Sequence, residues 1–122
     1  MIKQITCKEL KDHVKNNSKS VLLDVRTQEE LDNIGKPDGD KIGLKTYSLE
    51  IRRDDLFDFV QEFKNLNISQ DKEVLVICAS GERSQITAEL ISRENYKSTN
   101  ISDGFMGSQE GAGWKKNDLP CL

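Results

Sequence analysis

Two short apolar runs constrain the fold of this chain more than any other feature: Val21-Leu22-Leu23-Asp24-Val25 and Glu73-Val74-Leu75-Val76-Ile77-Cys78. Neither alternates with polar residues, so each needs cover on both faces, the environment of a strand inside a parallel sheet. Shorter strands are expected at Lys3–Ile5, Lys41–Leu44 and Thr99–Ile101. Between them the periodicity turns helical. Thr6 with Glu9, and Thr27 with Glu30, have capping-box spacing and predict helices from Cys7 and Gln28. Leu56, Phe59, Val60 and Phe63 recur as one helix face, and a further helix over about Ser84–Arg93 would bury Ile86, Leu90 and Ile91. Strands alternating with helices predict an α/β protein with a parallel sheet and helices on both faces. Gly35–Gly43 is expected to be a loop, and Asp103–Gly113, rich in glycine, to lack regular structure.

No repeat, low-complexity tract or linker divides the 122 residues, so a single domain over residues 1–122 is expected. Such a length buries roughly two-thirds of the surface of the unfolded chain and needs no covalent staple. A net charge of -3 gives no general attraction to nucleic acid or anionic membranes. No apolar run approaches the ~20 residues that span a bilayer, and the first residues lack the apolar stretch of a secretory leader. A cytoplasmic location is therefore expected. Cys7, Cys78 and Cys121 form no Cys-x-x-Cys pair and have only His13 to join them, so neither a metal centre nor a disulfide framework is expected, and no cofactor. One functional thiol beside two incidental ones fits this count.

The segment that carries chemistry is Cys78-Ala79-Ser80-Gly81-Glu82-Arg83-Ser84. It joins a buried strand to an amphipathic helix, which puts Cys78 at the carboxyl edge of the sheet, where open α/β folds bind ligands. A tight loop entering a helix turns backbone N–H groups inward and favours an anion, so a thiol placed there is expected to ionise below its free value of about 8.5. Gly81 permits the turn and Arg83 adds a cation with a fork of donors. A cysteine closing an apolar strand is ordinarily a small buried hydrophobe. The Ser-Gly-x-Arg-Ser that follows sets Cys78 apart, because a plain strand-to-helix turn does not require arginine there.

This loop resembles the Cys-x-x-Gly-x-Arg-Ser active-site signature of rhodanese-like sulfurtransferases. Leu22-Leu23-Asp24-Val25-Arg26-Thr27-Gln28-Glu29-Glu30 is similar to that family's first signature. Ile101-Ser102-Asp103-Gly104-Phe105, Gly113-Trp114 and Leu119-Pro120 are similar to its closing strand, glycine turn, tryptophan and Leu-Pro ending. The resemblance covers nearly the whole chain, in order. It implies a three-layer fold around a five-stranded parallel sheet, and a ping-pong sulfur transfer. A donor such as thiosulfate or a persulfide would load Cys78, and a thiol or cyanide would accept the sulfur. It further implies Cys78 as nucleophile and carrier, and the amides of Ala79, Ser80, Gly81, Glu82 and Arg83 as anion cradle. Arg83 would help to neutralise the donor, and Asp24, Arg26 and Ser84 would act in support. The partners implied are a small donor or a persulfide-carrying protein and a thiol acceptor, with no nucleic acid or membrane.

The chain departs from the family pattern at Gly35-Lys36-Pro37-Asp38-Gly39, where a Gly-His-Ile turn is usual. It departs again at Ala79, where many active members carry arginine, and at Glu82, which adds negative charge to the cradle. Arg26 and Glu30 stand four apart and could form a partly exposed pair worth under about 1 kcal/mol. His13 is expected to be a solvated surface residue, Cys7 and Trp114 to pack, and Cys121 to lie idle in the tail. Two rival functions come from different classes. A phosphatase or arsenate reductase would use Cys-x5-Arg, whereas the arginine here completes Cys-x4-Arg. A non-catalytic binding module usually lacks the cysteine, which this chain keeps.

Overall fold

The computed structural model describes residues 1–122, which form one five-stranded parallel sheet. In chain order the strands are β1 (Lys3–Ile5), β2 (Ser20–Asp24), β3 (Lys45–Ser48), β4 (Glu73–Ile77) and β5 (Lys97–Ile101), arranged β1-β5-β4-β2-β3. The helices are α1 (Cys7–Asn16), α2 (Gln28–Ile34), α3 (Leu56–Asn65) and α4 (Glu82–Arg93). The apolar runs became β2 and β4, each buried at every residue, with β4 in the middle of the sheet. No helix is long and apolar enough to cross a membrane.

Side chains of successive strand residues point to opposite faces, and this divides the core in two. Val21, Leu23, Val74, Val76 and Cys78 face Phe59 and Phe63 of α3 and Ala88 and Ile91 of α4. Leu22, Leu75, Ile77 and Ile101 face Cys7 and Leu10 of α1, together with Phe105 and Trp114. Each fully buried leucine or isoleucine in these layers contributes about 1.5–3 kcal/mol. Cys78 continues the parity of Val74 and Val76, so its sulfur points toward α4.

Both predicted capping boxes form. Thr6 N–H donates to Glu9 Oε1 at 2.9 Å. In the second box Thr27 N–H donates to Glu30 Oε1 at 3.1 Å, and Glu30 N–H returns a bond to Thr27 Oγ1 at 3.1 Å. The expected strand over Lys41–Leu44 is replaced by a 3-10 turn at Gly39–Ile42, with β3 only beginning at Lys45. Ile42 and Leu44 pack into the core from that turn, so their hydrophobicity marks packing and not pairing. β3 is an edge strand with no fully buried residue, so it carries no apolar signal.

His13 is likewise not a solvated residue. Its side chain is 8% exposed and its Nε2 lies 2.7 Å from Glu73 Oε1. It stands on the last turn of α1, which lies against the start of β4, and neighbouring lysines give no hint of that. Trp114 and Cys7 are buried as expected, the indole N–H of Trp114 donating to Pro120 O at 2.7 Å. Cys121 is held in an antiparallel bridge with Pro37, and all three cysteines are free thiols.

Candidate active site

β4 ends at Ile77, and the next seven residues, Cys78–Ser84, make the loop and the first turn of α4. Gly81 stands at the N-cap with φ of +99°, a conformation that glycine adopts freely. A Cβ there would meet Ser102 O at 2.3 Å, so a side chain is excluded by space as well. The loop is braced from the other side by the segment after β5. Phe105 N–H donates to Cys78 O and Met106 N–H to Ala79 O, both at 2.8 Å. Gly104 lets this segment approach, since a Cβ on it would lie 2.4 Å from Ala79 O. Asp103 ties the segment down by accepting from Cys7 N–H and Gly113 N–H, each at 2.9 Å.

Cys78 is 1% exposed. Its Sγ accepts from Gly81 N–H at 3.1 Å and lies 3.2 Å from Ser84 Oγ. The N–H groups of Ala79, Ser80, Glu82, Arg83 and Ser84 donate to no acceptor in the protein. Those of Glu82, Arg83 and Ser84 are donors that the first turn of a helix leaves without intrahelical partners. The loop therefore carries five N–H groups without an acceptor in the protein, on the same short segment as a sulfur that already receives one from Gly81.

Arg83 stands beside this loop but is not free. Its Nη1 and Nη2 donate to Glu30 Oε1 and Oε2 at 2.6 and 2.8 Å. The hydrogen bond from Arg83 is the main reason that the Glu30 carboxyl falls to about 2, and the same pairing raises Arg83. The anticipated pairing of Arg26 with Glu30 is thus replaced. Arg26 turns back to Asp24, its Nη2 donating to Oδ2 at 2.9 Å and its Nε to Oδ1 at 3.1 Å. This ion pair is fully buried, not partly exposed. The polypeptide bends at the end of β2, which brings Arg26 over the carboxylate two residues back and lets its own N–H donate to Oδ1. Arg26 Nη2 also reaches Gly35 O at 2.9 Å, its guanidinium lies 4.2 Å from the Phe105 ring centroid, and its Nη1 has no partner.

Glu82 accepts from Ser80 Oγ at 3.0 Å. Beyond the loop opens a groove of about 850 Å³, lined by Gln4, Arg53, Ser80, Gln85, Gln109 and Glu110 among others. Ser102 and Ser108 also line it, so the segment after β5 borders the site. Cys7 contributes no comparable chemistry: burial pushes its thiol well up, and the charge and hydrogen bond of Asp103 push it further. Sequence reasoning missed Asn100, which accepts from Ser84 Oγ at 2.6 Å. The one signal was a polar amide within a strand pattern, beside Ile101.

A rhodanese-like domain model matches residues 6–110. The chain is 38% identical over 107 residues to "Uncharacterized protein RP600" of Rickettsia prowazekii, covering 85% of this chain and 84% of the relative. It is 28% identical over 105 residues to "Putative sulfurtransferase YtwF" of Bacillus subtilis, covering 86% and 88% of the two chains. The crystal structure of Rv0390 from M. tuberculosis superposes with a TM-score of 0.75 at 26% identity, over 98% of this chain and 96% of that one. With a family match across most of its length and the strand order, cysteine loop and bracing segment in place, this chain belongs to the rhodanese-like domain family.

Proposed function

We infer that this protein is a sulfurtransferase that works as a single domain over residues 1–122 and carries a sulfane sulfur as a persulfide on Cys78. The observation that carries this reading is the set of N–H groups without a protein acceptor on Ala79, Ser80, Glu82 and Arg83, in the loop whose sulfur is already bonded by Gly81 N–H. Preorganised amide donors stabilise charge where it develops, first on the attacking thiolate and then on the terminal persulfide sulfur. Such a loop activates its own nucleophile, so no histidine base is needed. The spacing Cys-x4-Arg suits one transferred sulfur better than a phosphate. The retained cysteine favours chemistry over a purely binding role. Three free thiols are consistent with a reducing cytoplasm.

The donor is a persulfide in preference to thiosulfate. A dianion must be gathered by positive charge, yet both terminal nitrogens of Arg83 are occupied by Glu30, Ala79 offers none, and Glu82 repels. A persulfide brings less charge, and the groove beside the loop has room for the molecule that carries it. In either case the Cys78 sulfur bonds to the donor's outer sulfur while the donor's own sulfur bond breaks. A thiol or cyanide then removes that sulfur and restores Cys78. Asp24 and Arg26 support the loops without touching the sulfur.

The test is thiocyanate formation from a persulfide donor and cyanide. Cys78→Ser should abolish enzymic turnover, whereas wild-type rates in that variant would contradict the reading.

A further inference from the structure

The hydroxyl beside the nucleophile has a single proton, and its destination can be deduced. Asn100 Nδ2 donates to Gly81 O at 3.1 Å and to Gln4 Oε1 at 2.8 Å. Gly81 O is a carbonyl and can only accept, so the amide of Asn100 is oriented with its nitrogen on that side. Its Oδ1 therefore faces Ser84 Oγ, 2.6 Å away, and can only accept. The Ser84 proton is spent on Asn100. Toward Cys78, at 3.2 Å, Ser84 then presents a lone pair, which accepts from a thiol S–H and gives nothing to a thiolate.

We propose that Asn100 is a positioning residue that, through Ser84, holds resting Cys78 as a thiol and opposes the amides that favour the thiolate. This rests on Cys78 being the nucleophile and adds a restraint on it. For Ser84 to donate to the thiolate, its O–H must turn from Asn100 to sulfur, leaving Oδ1 with no donor from Ser84 in a buried site, so the thiolate forms without that bond while Asn100 holds the proton. The restraint keeps a buried cysteine from reacting before a donor docks. When a persulfide R–S–SH arrives, the Cys78 sulfur bonds to its outer sulfur, the donor S–S bond breaks, and the Cys78 proton leaves on the departing R–SH. Atoms and electrons balance with no further oxidant or reductant.

The charged groups of the loop, of the elements packed against it and of the neighbouring groove are Arg83 and Glu82 on α4, Glu30 on α2, Asp24 and Arg26 at the end of β2, Arg53 before α3, and Asp103 and Glu110 after β5. All are common to wild type and the variants below, so differences between variants isolate the hydroxyl.

The experiment is the rate of iodoacetamide alkylation at Cys78 against pH, read by mass spectrometry of its peptide, without donor. Asn100→Leu, nearly equal in size and unable to accept, frees Ser84 to donate to the thiolate. Its midpoint should fall by about one pH unit, which is about tenfold more thiolate at a pH below both midpoints. In the double variant with Ser84→Ala that fall should disappear. Ser84→Ala alone should not raise the midpoint, and this arm decides the question should Asn100→Leu not fold. A rise in Ser84→Ala, or the same fall from Asn100→Leu with and without Ser84, would overturn the proposal. Sulfur loading is measured separately: the predicted midpoints without loading would overturn sulfur transfer alone, and loading with no fall in the Asn100→Leu midpoint would overturn the restraint alone.

Discussion

Buried polar groups flank the apolar run of β4, Glu73 at its start and the Cys78 thiol just past its end, but their hydrogen bonding differs. At its start, Glu73 Oε1 accepts from Ser20 Oγ at 3.1 Å and lies 2.7 Å from His13 Nε2, while Oε2 accepts from Thr99 Oγ1 at 2.6 Å. Burial pushes the Glu73 carboxyl up, and Thr99 and His13 outweigh it, so the carboxyl ends below its ordinary value. Just past its other end, the loop that holds Cys78 has N–H groups on Ala79, Ser80, Glu82, Arg83 and Ser84 with no acceptor in the protein, and nearby Arg26 keeps one nitrogen unpaired. Buried polar groups in folded proteins are nearly always satisfied, so a cluster that is complete reads as structure and one that is incomplete reads as a site. The comparison also separates the two kinds of evidence a buried charge can give: ionisable side chains lie at both edges, and only the state of their partners distinguishes them.

The largest effect expected from breaking either edge is at Asp24. Asp24→Ala leaves Arg26 buried with no counter-charge and should cost about 3–5 kcal/mol in chemical denaturation. A loss under about 1 kcal/mol would mean that Arg26 escapes to water and that the pair does not brace the carboxyl edge.

Glu73→Gln should cost less, about 1–3 kcal/mol, and leave sulfur loading of the folded protein unchanged. Its pH dependence has a definite sign. A carboxyl lowered on folding contributes stability above its unfolded value of about 4.3, and that contribution is lost as pH falls through the lower folded value. The acid loss of stability should therefore be shallower in Glu73→Gln than in wild type. Impaired loading in this variant would erase the distinction between the two edges.

A smaller effect sharpens the carboxyl edge itself. Ala79→Arg supplies the charge that Glu30 withholds by pairing Arg83, and should raise thiosulfate efficiency about tenfold with little change for a persulfide donor. Equal gains with both donors, or none, would show that Ala79 does not set donor choice.

Much of this was legible in the sequence, and the rest was illegible for identifiable reasons. β2 and β4 announced themselves because a central parallel strand must be apolar on both faces, whereas β3, an edge strand, had no such requirement. The capping boxes are legible because each joins residues only three apart. The Cys78 loop stood out because glycine and arginine occur at fixed offsets from a strand end. The pairings that complete each edge were not visible, since His13 and Glu73 are 60 residues apart and Arg83 and Glu30 are 53 apart. Spacing alone suggested Arg26 with Glu30, a helix-surface rule applied to a residue that lies before the helix starts. Asn100 looked like a weak strand residue, and only the register of β5 beside β4 gives it a task.

Sulfur transfer through Cys78 is tested most directly by intact mass after incubation with a sulfane donor and again after cyanide. Wild type should gain the mass of one sulfur atom and lose it to cyanide with formation of thiocyanate, and Cys78→Ser should gain none. A cyanide-labile sulfur that persists in Cys78→Ser, or a wild type that takes up no sulfur from either thiosulfate or a persulfide, would contradict it.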